Sequence, residues 1–158
     1  MDGLDLVVDG RLDRVDGGYA GVMTRAVREL VLAGEDHGDA WASRQFVLRS
    51  TVGVVPAATL ADMQHVASEL VTNALRHGLR KPISVIVHLR RRRAAVTVTS
   101  QSAPDARIPH VSEWSLVGLN GRTGRGLALV SGLSDRVHVD RWGERVTVTA
   151  HFKWKGSV

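Results

Sequence analysis

Three polar residues near the middle of the chain are spaced so that they could act together. Glu69, Asn73 and His77 follow one another at intervals of four residues, within a stretch of apolar residues that has helical spacing. In a helix, residues four apart lie on one flank on successive turns. A side-chain amide there could hold a hydrated Mg²⁺ through its oxygen, and a carboxylate could orient or deprotonate an attacking hydroxyl. The alternative is that all three are polar residues at the rim of a core helix.

A glycine-rich segment later in the chain has the composition of an anion-binding turn. Residues 121–130 read Gly-Arg-Thr-Gly-Arg-Gly-Leu-Ala-Leu-Val, and the apolar end of this run indicates the start of a helix. Glycines let the backbone approach a ligand closely, and the first N–H groups of a helix favour an anion. Arg122 and Arg125 would add charge-assisted bonds to a phosphate. The alternative is a structural turn before a helix, since the Gly-Lys-Ser/Thr of a P-loop is missing.

Periodicity elsewhere predicts the elements that would position these residues. We expect helices over Tyr19–Ala33, Trp41–Thr51, Pro56–Gly78 and Leu127–Leu133, and strands over Ile83–Leu89, Ala95–Ser100, Arg136–Arg141 and Arg145–Lys153. Residues 101–123 show no period and form a long loop of the kind that is usually functional. Because short turns join the strands in pairs, antiparallel pairing should dominate, with the helices packed on one face. The predicted fold is therefore an α+β two-layer sandwich.

The first 40 residues are expected to form an extension to a main domain spanning residues 41–158. Asp9-Gly10 is a turn signal between two short extended runs in residues 4–15, which predicts a hairpin-like segment before the helix at Tyr19. The total of 158 residues suits one domain with one core.

Composition and charge narrow the classes of function. The chain has no cysteine, which excludes disulfides and thiolate metal sites, and no apolar run long enough to cross a membrane. Its acidic start lacks the features of a secretory signal, which favours a cytoplasmic protein without membrane partners. The net charge of +5 permits an acidic partner. The Arg90–Arg93 cluster is typical of a solvated hairpin turn, and since no aromatic residues are interleaved with it, nucleic-acid binding is not expected.

Together, the two motifs resemble a known superfamily. Glu-Leu-Val-Thr-Asn-Ala-Leu-Arg-His-Gly at residues 69–78, followed by Gly-Arg-Thr-Gly-Arg-Gly-Leu-Ala-Leu-Val at 121–130, resembles the N-box and second glycine box of GHKL proteins. Within that superfamily the resemblance is closest to the anti-sigma-factor serine kinases, and it covers roughly residues 41–153. It implies a Bergerat-type fold, that is, a mostly antiparallel mixed sheet with helices packed on one face.

The resemblance also implies roles for individual residues. Asn73 would coordinate Mg²⁺, and Glu69 would be the catalytic general base for a serine hydroxyl or a water. Residues 103–123 would form a lid over the triphosphate. The residues implied to bind Mg-ATP are Asn73, His77, Ser100, Gly121, Arg122, Gly124, Arg125, Gly126 and Leu127. Proteins of this branch bind a sigma factor as homodimers, and many phosphorylate a serine of an antagonist protein.

One departure from the family pattern lies after the second predicted strand. The family places Asp-x-Gly-x-Gly there, and its aspartate accepts a hydrogen bond from the adenine amino group. This chain has Ser100, Ser102 and Pro104 at the three positions. A hydrogen bond to a charged acceptor is worth about 1.5–3 kcal/mol, so its loss would weaken adenine binding roughly 10- to 150-fold.

Two functions therefore stay open at the level of sequence. The first is an anti-sigma-type regulator that is also an active serine kinase, which Glu69 and Asn73 favour. The second is a non-catalytic, pseudokinase-type module that regulates a sigma factor or another partner without productive use of ATP, which Ser100 favours.

Overall fold

The computed structural model describes residues 25–114 and 125–156. In chain order its elements are β1 (Arg25–Leu32), α1 (Gly38–Thr51), α2 (Ala57–His77), β2 (Ile83–Arg90), β3 (Arg93–Gln101), a 3₁₀ turn (Val111–Glu113), α3 (Arg125–Leu133), β4 (Arg136–Trp142) and β5 (Arg145–Lys153). The strands form a five-stranded sheet in the order β1-β2-β3-β5-β4, and every pairing among them is antiparallel. Helices cover one face of this sheet, which confirms the predicted α+β two-layer sandwich.

The long helix α2 is the centre of the helical layer. Its apolar stripe is buried at Met63, Val66, Ala67, Leu70 and Val71, and it packs against the inward-facing valines and leucine of β2 and β3. Pro56 precedes the helix, as the missing N–H of proline favours. These observations confirm the helix that the spacing of 3.6 residues predicts.

The end of α2 is tied to the end of β3. Gly78 donates its N–H to the Ala74 carbonyl at 2.8 Å, and Leu79 donates its N–H to the Gln101 carbonyl at 2.8 Å. A side chain at Gly78 would lie 2.9 Å from that same Gln101 oxygen, so only glycine fits between the two elements. The contact holds the polar flank of α2 beside the last residues of β3.

The predicted helix over Tyr19–Ala33 is wrong for the part that the structure describes. Residues Arg25–Leu32 form strand β1, which pairs along its whole length with β2. Ala26, Leu30 and Leu32 turn toward the core, while Val27 and Val31 turn outward. Apolar residues at 26, 27, 30 and 31 have helical spacing, but pairing with β2 selects a strand, which divides them between its two faces. The hairpin-like segment expected at residues 4–15 lies outside the described residues.

The other predicted elements are present, with boundaries shifted by three residues or fewer. Helix α1 begins at Gly38, where the Asp39 carboxylate accepts hydrogen bonds from the N–H groups of Gly34 at 2.8 Å and Glu35 at 3.2 Å. Helix α3 begins at Arg125 rather than Leu127. None of the helices in the described parts of the chain has both the length and the apolar character needed to cross a membrane.

The outer face of the sheet carries threonine pairs and two perturbed histidines. Thr97 and Thr149, and likewise Thr99 and Thr147, bring their hydroxyls within 3.1 Å across β3 and β5. Burial lowers the pKa of His88 on β2, and Arg25, Arg90 and His151 lower it further. Burial likewise lowers the pKa of His151 on β5, with added effects from nearby cations. Both rings are therefore held neutral more strongly in the folded protein than in the unfolded chain.

We expect this face to make stability depend on pH. Because the folded pKa of each histidine lies below its ordinary value of 6.5, the unfolded chain takes up more protons as the pH falls through that value. The free energy of unfolding should therefore be lower at about pH 5.5 than at about pH 8. Urea denaturation at constant ionic strength measures it. Replacing His88 and His151 by Gln should flatten the difference, and an unchanged slope in this variant would contradict the assignment.

Candidate functional site

A cavity of about 640 Å³ lies between the helical layer, the sheet and the segment after β3. Most of its lining is apolar, and its polar groups are few. The lining residues from α2, α3 and the strands are Leu70, Asn73, Ala74, His77, Gly78, Val98, Ser100, Ser102, Leu127, Val146 and Val148. An apolar cavity of this size with a few convergent polar groups is typical of a small-molecule site.

The polar flank of α2 borders this cavity as the sequence predicts. Asn73 and His77 line it, Asn73 half-buried and His77 exposed. The Nδ2 atom of Asn73 is buried and has no hydrogen-bond partner among the described residues. Because an amide can be rotated to exchange its oxygen and nitrogen, either atom can occupy that position. A buried polar atom without a partner is costly, so a ligand or a group outside the described residues is expected to supply one.

The start of α3 closes on the same flank. Gly126 packs so tightly against Glu69 that an added methyl group would overlap the Glu69 Oε2 atom and lie 3.7 Å from Asn73 Nδ2. Glu69 itself is half-buried and contacts Gly126 rather than lining the cavity. Arg125 is exposed, and Leu127 is half-buried in the cavity wall. The structure thus brings Glu69, Asn73 and the end of the glycine-rich segment together.

Three predicted site residues cannot be placed in the same way. Gly121, Arg122 and Gly124 lie outside the described residues, so their expected contacts with a triphosphate stay a prediction. Among the described residues, no group of three or more histidine and carboxylate side chains is arranged to hold a metal ion. A metal at this site would therefore depend on Asn73 and on oxygen atoms of a ligand.

The inner end of the cavity is formed where β3 ends. Ser100 and Ser102 both line it, and Ser102 is buried, with its hydroxyl donating to the His77 carbonyl at 3.4 Å. Ser102 also donates its N–H to the Glu144 carbonyl at 2.8 Å. Lys81 strengthens this corner by binding Gln101 Oε1 at 3.0 Å and Glu144 Oε2 at 3.2 Å. Pro104, which the resemblance predicts at the second glycine position of the family pattern, is exposed and does not line the cavity.

The segment after β3 forms a roof over the cavity. Its lining residues are Ala106, Arg107, Ile108, Pro109, Glu113 and Trp114. The buried Trp114 donates its indole N–H to the Pro109 carbonyl at 3.2 Å. Glu113 accepts hydrogen bonds from the Arg107 guanidinium at 2.7 Å and from the His110 N–H at 3.1 Å. This part of the expected lid thus borders the cavity, whereas residues 115–123 lie outside the described residues, and a lid over a triphosphate stays a prediction.

Arg141 on β4 holds this roof in place, a role that the sequence analysis missed. Its guanidinium donates to the carbonyls of Ala106 at 2.6 Å, Ala103 at 2.5 Å and Gly143 at 3.1 Å. Pairing with Val146 places Arg141 on the inward face of β4. An arginine at an inward register position of an otherwise alternating strand was the available signal, because its long side chain can keep the guanidinium exposed at the sheet edge and bind the neighbouring segment there.

Fold and cavity together define an α+β domain with a small-molecule site between helices and sheet. A family model described as the histidine kinase-like ATPase domain matches residues 40–152. The chain therefore belongs to this family, which confirms the resemblance to ATP-binding GHKL proteins at the level of the superfamily. No curated protein sequence matches the chain.

Among solved structures, the chain is similar to the RsbU and RsbW domains of Rv1364c from Mycobacterium tuberculosis. The TM-score is 0.57 at 18% sequence identity, and the match covers 79% of this chain and 32% of that chain. The chain thus spans about a third of the protein it matches. At this identity the similarity supports the fold.

The close contact between Gly126 and Glu69 predicts that a larger residue at position 126 affects stability. Gly126→Ala should force the Glu69 carboxylate aside and lower the free energy of unfolding by about 1 kcal/mol relative to the control, the low end of the cost of overpacking, because the displaced group is the end of a flexible side chain. Gly132→Ala in the same helix is the matched control, because nothing lies within 4 Å of its added methyl group. The control should be neutral or up to about 1 kcal/mol more stable, since alanine favours a helix. Equal effects in urea denaturation would show that α3 does not close on Glu69.

Proposed function

We propose that this protein is an anti-sigma-type regulator that binds Mg-ATP in the cavity between α2, α3 and β3. The observation that carries the proposal is the buried amide of Asn73, which has no described partner and lies beside the first turn of α3. Family membership supports a nucleotide as the ligand. The mostly apolar inner part of the cavity suits a base, and the start of a helix suits phosphate groups.

The donor set fits a magnesium nucleotide. Mg²⁺ prefers oxygen ligands and keeps several waters, so the Asn73 amide oxygen and phosphate oxygens would suffice to hold it. Arg125 and the first N–H groups of α3 would bind the phosphates, with Gly121, Arg122 and Gly124 as further candidates from the sequence. Leu127, His77 and Ser100 would contact the nucleoside part. The small volume of Gly126 is what allows these groups to approach one another.

Glu69 is the candidate catalytic residue. Its carboxylate lies one helical turn before Asn73 and against the start of α3, where the terminal phosphate of a bound nucleotide would be placed. From there it could accept the proton of an attacking serine hydroxyl, as a serine kinase requires, or of a water. The substrate would be a serine of an antagonist protein.

The binding partners that we propose for the protein rest on the similar solved structure and on the two sequence motifs. The similar protein contains a domain named RsbW, and the N-box and glycine box resemble those of anti-sigma-factor kinases. We therefore propose a sigma factor, an antagonist protein or both as partners, and a homodimer as the assembly. The protein would act in the cytoplasm.

A second candidate is a non-catalytic module of the same fold. It is favoured by Ser100, whose neutral hydroxyl lies at the inner end of the cavity, where the family pattern has an aspartate. Without a charged acceptor for the adenine amino group, nucleotide binding would be weak, and regulation would rest on contacts with the partner protein alone.

Calorimetric titration with Mg-ATP separates the two candidates. Binding with a dissociation constant below about 100 μM in the parent chain, and no binding in the Asn73→Ala variant, would support nucleotide use. Thr72→Ala is the matched control, because Thr72 is the half-buried neighbour of Asn73 on α2 and does not line the cavity. It should leave the affinity unchanged. No heat of binding at millimolar nucleotide would instead support the non-catalytic module.

The base-recognising position can be tested by gain of function. Ser100→Asp should raise the affinity for adenine nucleotides, by roughly 10- to 150-fold if the new carboxylate accepts the amino group. Thr99→Asp adds the same charge on the outer face of the sheet, where Thr99 pairs with Thr147, and should leave the affinity unchanged. If both variants bind Mg-ATP like the parent chain, Ser100 does not occupy the base-recognising position.

A further inference from the structure

A row of cations crosses the sheet at the end remote from the cavity. Arg25 of β1 pairs in register with Arg90 of β2, Arg90 with Arg93 of β3, and Arg93 with Lys153 of β5. Arg91 and Arg92 form the turn between β2 and β3 and extend the same edge. All of these side chains are exposed. We call this set of six cations the basic end of the sheet.

The basic end is unfavourable for the isolated fold. Like charges directly opposite each other on neighbouring strands are destabilising. Arg92 also adopts a left-handed backbone conformation at φ 56°, which costs a residue with a side chain roughly 1–2 kcal/mol. None of the six cations forms an ion pair with a residue of 25–114 or 125–156. A sequence that breaks several local rules at one place usually does so for a functional reason.

The positive potential of this end reaches its neighbours. Arg25 and Arg90 contribute, after burial, to the lowered pKa of His88, and Lys153 contributes in the same way to that of His151. Ser100 lies seven residues beyond Arg93 along β3, about 23 Å away at the rise of an extended strand. The basic end is therefore separate from the cavity that holds the proposed nucleotide site.

The chain itself supplies an acidic segment next to this row. Residues 1–24 contain five aspartates against two arginines, a formal net charge of −3, which leaves +8 on residues 25–158 of a chain whose total is +5. This segment ends at Arg25, the first member of the row. The row spans about 15 Å across four strands, whereas 24 residues can reach up to about 80 Å. Covalent attachment also gives the segment a high effective concentration at the row, in the millimolar range for a short linker.

We propose that the basic end of the sheet is a binding site for acidic peptide segments, and that the chain's own residues 1–24 occupy it. The aspartates Asp2, Asp5, Asp9, Asp13 and Asp16 provide the opposite charges. An acidic segment of a partner protein would then have to compete with residues 1–24 for this surface. A nucleic acid fits less well, because the exposed tryptophans among the described residues, Trp41 and Trp142, lie elsewhere in the fold. Trp154 does lie at this end, where its backbone N–H donates to the Arg92 carbonyl at 3.3 Å, but its side chain is half-buried against the core.

The absence of cysteine makes the test direct. Val8→Cys gives the full-length chain a single thiol that carries a nitroxide label, and NMR then measures the loss of amide signal near it. At about 50 mM salt, amides of residues 88–93 and 151–153 should lose intensity, while those of 99–101 and 145–147 at the other end should not. At about 500 mM salt, the loss should largely disappear because the charges are screened.

Charge variants of the labelled chain provide the matched comparison. Arg91→Glu with Arg92→Glu should restore most of the lost intensity at low salt. Arg49→Glu with Arg76→Glu changes the net charge equally at exposed positions of α1 and α2 and should restore none. Equal intensities at both ends of the sheet in the parent chain would overturn the proposal, and so would a loss of unchanged size at about 500 mM salt or in the Arg91→Glu, Arg92→Glu variant, because attachment at Arg25 alone would then explain it. The proposal would also be overturned if a short DNA duplex changed the amide signals of the basic end while the nitroxide label caused no loss there, since the site would then bind nucleic acid.

Discussion

The contact between two helices at a single glycine organises the functional half of this protein. Gly126 allows the first turn of α3 to rest on the flank of α2 that carries Glu69 and Asn73. A larger residue there would have to displace the Glu69 carboxylate from the first turn of α3. The backbone of Gly126 has an ordinary conformation, so the requirement concerns volume and not dihedral freedom. Space at one position therefore decides whether three separate groups form one site.

The cavity beside this contact combines two unlike environments. Its inner end is made of neutral hydroxyls and valines where β3 and β5 meet, and its rim carries the Asn73 amide, whose buried nitrogen has no partner among residues 25–114 and 125–156. An apolar interior supplies affinity for a flat ring without specifying which ring, and polar groups at the rim fix how a ligand is oriented. With Ser100 at the proposed position of the family's aspartate, no charged acceptor would face the base at the inner end. Phosphate and metal contacts would accordingly carry more of the binding energy than contacts with the base.

Much of this arrangement could be predicted from the sequence, and the failures have identifiable causes. The stripe from Met63 to Val71 fits a helix and no other period, so α2 and its polar flank followed directly. Residues 25–32 have apolar residues at helical spacing, and only pairing with β2 shows that they form a strand. Neither the place of Trp114 nor the contacts of Arg141 could be predicted. Trp114 lies in a loop without periodicity, and it donates to the Pro109 carbonyl of the same loop. Arg141 donates to the Ala106 carbonyl, which is 35 residues away in sequence.

Arg141 has a consequence for how the cavity can exchange its contents. Its guanidinium joins the carbonyls of Ala103 and Ala106 to β4, which is an outermost strand of the sheet. Lifting residues 103–106 would break two bonds to a charged donor, each worth up to about 1.5–3 kcal/mol, unless the strand moved with them. Access to the interior is thus governed at the margin of the sheet, and the roof cannot swing freely as an ordinary surface loop would.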